Sequence, residues 1–130
     1  MLSVLLVEDD GAVRSIFARS LQRRGCEVVG AADGLEGLEL VRRRSFDAVI
    51  SDVNMPGRGG LWLWERAIVH RPELRGRFVL MSSEALPEQP SARRFLESEH
   101  FLLKPFLPAA LMVEVLKIVG VADEGRRESM

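Results

Sequence analysis

The sequence predicts an α/β fold: a doubly wound, five-stranded parallel sheet with helices on both faces, a three-layer α/β/α arrangement. Five apolar runs of strand length recur along the chain, they are mostly continuous rather than alternating, and helical patterns with spacings of three and four separate them. Continuous apolar strands are covered on both faces. Parallel neighbours cannot be joined by hairpins, and a repeat of roughly 25 residues per strand and helix supplies the right-handed crossovers they need.

The first strand is read at residues 3–7. Val13, Ile16, Phe17 and Leu21 then form a helical stripe, with Asp10 before it as an N-cap and Gly25 after it, where a left-handed residue is wanted. Residues 27–31 form the second strand and Leu35, Leu38 and Val41 mark the second helix. The third strand is 48–51, followed by a helix marked by Leu61, Trp64 and Ile68. Trp62 and Trp64 stand about 200° apart around that helix, so both cannot face the core. The fourth strand is 78–81. Pro87 and Pro90 confine the next helix to 91–98, short and less firmly held. A fifth strand at 101–103 leads to Pro108, in the first turn of a last helix running to about Val119. That helix is apolar most of the way round, with Glu114 and Lys117 as polar breaks, which suits partner binding or homodimerisation, and deep burial nearly as well. The fold is expected to be one domain over 1–119, and 120–130 a polar, flexible tail.

Composition narrows the function classes. The 130 residues carry 18 basic and 19 acidic side chains, net charge −1, so no excess positive charge drives binding to nucleic acid or anionic membrane. The lone Cys26 can form neither an internal disulfide nor a thiolate metal cluster. The apolar run at 1–7 is too short to span a bilayer and ends directly in acids, so a soluble, cytoplasmic protein is expected. At this length no separate output domain is expected, and any signal leaves through contact with another protein.

In open parallel sheets ligands bind beyond the carboxyl ends of the strands. The residues there are Glu8, Asp9 and Asp10, then Asp52, Ser82 and Lys104. Converging carboxylates repel one another and raise each other's pKa unless a cation sits among them. A hard, oxygen-seeking ion such as Mg²⁺ meets that need. A lysine and a serine hydroxyl suit phosphoryl oxygens. Only two of the 18 basic residues are lysines, Lys104 and Lys117. Together these groups describe a phosphoryl-transfer site in which a carboxylate is itself the acceptor. Asp52 is the natural nucleophile, since it enters a loop, 53–60, whose Pro56, Gly57, Gly59 and Gly60 can bend around a metal. Asp10 is better read as a helix cap. His70 and His100 are read as surface residues without a role.

The segments LLVEDD (5–10), ISDVNMPGRGG (50–60), VLMSSEA (79–85) and FLLKPF (101–106) occur in an order and spacing that resembles the receiver domain of bacterial two-component response regulators, across roughly 1–119. The resemblance implies a flavodoxin-like sheet of order 2-1-3-4-5, the arrangement of chemotaxis receivers, which themselves illustrate the strand-end binding rule. It implies Asp52 as phosphoacceptor, Asp9 as direct ligand of Mg²⁺ (or Mn²⁺), Glu8 as a ligand through water, and Asn54 as a backbone-carbonyl ligand. Ser82 would swing toward the phosphoryl group, Phe101 would be the aromatic switch, Lys104 would pair with a phosphate oxygen, and the Lys104–Pro105 bond would be cis. The implied partners are a histidine kinase or histidine phosphotransfer domain and a downstream protein target reached through a face of the fourth helix, fifth strand and fifth helix.

Departures from the family pattern fall on the output side. Position 83 is Ser, Phe101 lacks a tyrosine's hydroxyl, and Glu97, Ser98, Glu99 and His100 replace a small-residue segment. These features resemble receivers attached to hybrid sensor kinases. Asn54 and Glu84, able to orient water, imply a fairly short-lived acyl phosphate. The alternatives are an unphosphorylated, receiver-like scaffold that binds partners constitutively and, more weakly, a phosphatase with Asp52 as covalent nucleophile, against which stands Asn54 where a second aspartate is needed.

Overall fold

The computed structural model describes residues 1–55 and 58–129, with side chains as far as Gly120. Strands β1 (Leu2–Val7), β2 (Cys26–Ala31), β3 (Ala48–Asp52), β4 (Phe78–Ser82) and β5 (His100–Leu103) form one sheet of order β2-β1-β3-β4-β5, and every pairing is parallel. Helices α1 (Gly11–Arg23), α2 (Gly34–Arg43), α3 (Gly60–His70), α4 (Pro90–Ser98) and α5 (Ala109–Ser129) connect and cover it. The class and strand order are those expected from the sequence.

The continuous apolar strands have a direct physical cause. Successive side chains on a strand point to opposite faces, and both faces here are packed. Leu5, Val7, Val49, Phe78 and Leu80 face a core shared with Leu38, Leu63, Trp64 and Phe95 of α2, α3 and α4. Val4, Leu6, Ile50, Val79 and Met81 face a second core with Phe17, Leu21, Leu111 and Val115 of α1 and α5. Trp64 is fully buried edge-to-face on Phe95, whereas Trp62 is half-buried between the Arg58 and Arg66 guanidiniums.

Local signals in the sequence do their expected work at α1. Asp10 Oδ1 accepts the N–H groups of Ala12 at 2.9 Å and Val13 at 3.2 Å, and Gly25 takes φ +93° just beyond the helix. Asp10→Ala should therefore lower stability by about 1 kcal/mol, read as a smaller urea midpoint at unchanged slope.

Three expectations need correction. The last helix does not stop near Val119: its backbone stays helical to Ser129, because Ala122, Glu124, Arg126 and Arg127 are good helix formers and no proline follows Pro108. The side chains beyond Gly120, on which the expected flexible tail falls, lie outside the described residues. Pro108 sits one residue ahead of the helix rather than in its first turn. His100 is no free surface residue: its Nδ1 lies 3.0 Å from Glu114 Oε2, tying β5 to α5. The apolar excess of α5 divides, with Leu111, Met112, Val115 and Ile118 buried and Val113 and Leu116 exposed.

The polar segment before β5 also has a structural use. The Glu99 carboxylate accepts the N–H groups of Gly76 at 2.6 Å and Phe78 at 2.9 Å, and the Ser98 hydroxyl at 2.7 Å, so it clasps the start of β4. Among the described residues, no helix is long and apolar enough to cross a membrane.

Candidate functional site

Register explains why the acids meet. Val7 pairs with Ser51, Asp52 with Met81, and Ser82 with Leu103, so the carboxyl ends of β1, β3, β4 and β5 finish at one level. The first residue past β1, β3 and β5 stays strapped to a neighbouring strand. Glu8 N–H donates to the Ala31 carbonyl, Val53 N–H to Met81, and Lys104 N–H to Ser82. These bonds aim the side chains of Glu8, Asp52, Ser82 and Lys104 into one cleft. Arg14, to which the sequence assigns no role, donates from its guanidinium to the Glu8 carbonyl at 2.6 Å and holds that corner of the backbone. No local pattern announces such a contact.

Oxygen atoms of Glu8, Asp9 and Asp52 lie within 4.8 Å of one another. Glu8 and Asp52 are only 3% and 7% exposed, while Asp9 opens to solvent. Both Asp52 oxygens are engaged: Oδ2 accepts Lys104 Nζ at 2.6 Å, and Oδ1 accepts the Asn54 N–H at 3.0 Å. Burial, reinforced by the neighbouring Asp52 carboxylate, pushes the Glu8 carboxyl from 4.5 up to about 7. Burial alone would lower the Lys104 ammonium, but its hydrogen bond to Asp52 and the surrounding carboxylates prevail and hold it above the ordinary lysine value.

Ser82 is buried, and its Oγ accepts the Glu84 N–H at 3.1 Å, with the Asn54 amide at 3.5 Å. Neither Ser82 nor Ser83 caps α4, whose N-cap position is Gln89. Phe101 stands apart from the cleft, half-buried on β5 against the core of α2, α3 and α4. Lys104–Pro105 is cis. Pro56 and Gly57 lie outside the described residues.

The donor set suits a hard divalent cation. All its atoms are oxygens, and Glu8 Oε2 is fully buried with no hydrogen-bond partner. A lone buried carboxylate oxygen among two other acids is costly unless it is protonated or a cation approaches. Beside it stand an ammonium and a hydroxyl, donors that match phosphoryl oxygens.

The chain is also similar to known proteins. The "sensor kinase CckA" of Brucella abortus is 36% identical over 93% of this chain, which spans 13% of that protein. The "transcriptional activator protein PfeR" of Pseudomonas aeruginosa is 35% identical over 83% of this chain, again only 34% of the relative's own length. Among solved structures, the chemotaxis protein CheY4 of Vibrio cholerae superposes with a TM-score of 0.80 at 30% identity, covering 91% of this chain and 98% of that one. The family described as response regulator receiver domain matches residues 4–116, which spans all five strands but for the first two residues of β1. With that breadth of match and the acids gathered at the strand ends, this chain belongs to the receiver domains of two-component response regulators.

Proposed function

We propose that Asp52 is the phosphoacceptor of this receiver, and the observation that carries the reading is the Asp52–Lys104 contact beside two further carboxylates. A phosphohistidine, on a histidine kinase or a histidine phosphotransfer domain in the cytoplasm, presents its phosphorus to an Asp52 oxygen. The P–N bond to imidazole breaks as the P–O bond to the carboxylate forms, and the leaving imidazole keeps the bonding pair. Asp52 needs no general base, since its ionised carboxylate already bears the attacking charge. Asp9, Asp52 and the Asn54 carbonyl, with Glu8 through water, would hold Mg²⁺ or Mn²⁺. Bound there, the metal neutralises charge on the phosphoryl oxygens.

Lys104 changes partner in this scheme. Its ammonium now rests on Asp52 Oδ2 and would pivot to a phosphoryl oxygen, keeping one close ion pair throughout. Ser82 would exchange the Glu84 N–H for the phosphoryl group, and Phe101 would turn further into the space released. The face of α4, β5 and α5 then shifts population and reads out to a protein target. Exposed Leu103, Val113 and Leu116 on that face offer apolar contact to the target or to a second copy of the chain. The domain acts as a signalling module that promotes only its own phosphorylation and dephosphorylation.

The test adds Mg²⁺ and beryllofluoride, a phosphoryl mimic, to wild type and Asp52→Asn, following amide NMR shifts and intrinsic fluorescence. Wild type should respond and the variant should not. An equal response in both, or none in either, would sink the reading, and the latter is what a constitutive scaffold gives.

A further inference from the structure

We infer that Gly34, the first residue of α2, is a positioning residue for Arg58 and Gly59, which close against Val53 beside the Asn54 carbonyl; this rests on the phosphoacceptor reading above. Gly34 lies outside all four motif segments, and α2 contributes none of the acids of the cleft. Yet it touches the loop directly. Its N–H donates to the Arg58 carbonyl at 3.1 Å. The first N–H groups of a helix have no partner within the helix, so α2 offers this donor to the loop at no loss to itself.

The approach is too close for a side chain. A Cβ on Gly34 would stand 2.5 Å from the Arg58 carbonyl oxygen and 3.1 Å from the Arg58 carbonyl carbon, both backbone atoms that cannot rotate away. The loop is closed on itself just beyond that point. Gly60 N–H donates to the Val53 carbonyl at 3.3 Å, and Gly59 packs so tightly on the same carbonyl that a Cβ there would overlap it. The loop is therefore gripped at two places, by its own ends and by α2. Val53 and Asn54 sit at the closed end, and Asn54 N–H is the donor to Asp52 Oδ1. A displacement forced at Arg58 passes to its neighbour Gly59, and from Gly59 and Gly60 to the Val53 carbonyl they pack on, next to the groups that would hold the metal and orient the acceptor.

Gly34→Ala separates this role from general packing. Alanine is the better helix former at that position, so α2 is not weakened and the strain falls on the exposed Arg58. The control is Gly37→Ala, one turn along. Its Cβ would meet the Val7 and Leu63 methyl groups at 3.1–3.2 Å, flexible side-chain ends in the core, and not the loop. Titrated with Mg²⁺ alone, Gly34→Ala should bind about tenfold more weakly, the size of a lost supporting contact at a metal site. Gly37→Ala should lower Tm yet bind within about twofold of wild type. In the metal-free proteins the Val53 and Asn54 amide shifts should move in Gly34→Ala and stay in Gly37→Ala.

A measurement on the unaltered protein stands independently of any variant. The Gly34 amide should exchange with solvent as slowly as amides inside α2, whereas a first-turn amide without a partner exchanges fast. The inference is overturned by a fast Gly34 amide, by Gly34→Ala binding Mg²⁺ like wild type, or by equal losses in both variants. If wild type binds no Mg²⁺, the phosphoacceptor reading fails instead, and the Asn54 amide shift still decides whether Gly34 positions the loop.

Discussion

Lys104→Met should lower the stability of the metal-free protein by about 2–3 kcal/mol, and Mg²⁺ should restore more of it than it adds to wild type. Lys104 Nζ lies 2.6 Å from Asp52 Oδ2 in a cleft that also holds Glu8 and Asp9. Methionine keeps the length of the stem and removes the charge, leaving Asp52 buried beside like charges. Breaking a buried pair by deleting one partner costs about 3–5 kcal/mol. The lower figure applies because 27% of the lysine side chain is still solvated. The ammonium is held above its ordinary value, so its contribution is fully present at neutral pH and is lost only as pH rises through that raised value in the alkaline range. A divalent cation supplies the missing charge and stabilises the folded state by mass action. Urea denaturation with and without Mg²⁺ checks both parts. An unchanged midpoint, or equal Mg²⁺ effects in the two proteins, would contradict the ion-pair account.

The second large effect is a dependence on pH opposite to that of most acids. Glu8 binds its proton up to about pH 7 in the folded chain, against an ordinary value of 4.5. Between those values the folded state holds more protons than the unfolded one, so metal-free stability falls as pH rises through the window and levels off above it. The fall is on the order of 2–3 kcal/mol, at about 1.4 kcal/mol per pH unit. Mg²⁺ reverses the preference, because its ligands must be ionised. Its affinity should climb with pH to about 7, and binding below that should release a proton. Glu8→Gln should flatten the metal-free profile. Denaturation curves at about pH 5 and about pH 8, with proton release followed during Mg²⁺ titration, decide the matter; a stability that rises across this window would refute the assignment to Glu8.

The fold was legible because the central strands β1, β3 and β4 are apolar on both faces and stop at a polar residue. LLV before Glu8 and VIS before Asp52 mark the strand and its functional end in the same few letters. The gathering of the candidate site's residues was legible for the same reason: a parallel sheet brings together whatever follows its strands. Contacts made by single atoms across the chain were not legible. Glu99 clasping the Gly76 and Phe78 amides, Arg14 on the Glu8 carbonyl, and Gly34 against Arg58 depend on how loops lie over one another, and no periodicity records that. His100 escaped for a related reason, since its partner Glu114 sits on the next helix, across a turn that no local pattern measures. The end of α5 escaped because a polar, charged segment reads equally as a solvated helix or as a tail.

The two tryptophans make the domain its own optical instrument. Trp64 is sealed in the core against Phe95 of α4, its indole N–H without a partner, in surroundings that favour blue-shifted emission. Trp62, two residues earlier on the same helix, emits from a half-wet site between two guanidiniums, and one of these belongs to Arg58 in the loop after β3. One emitter therefore watches α4 and the other watches the loop, and a water-soluble quencher separates their signals without any label being attached.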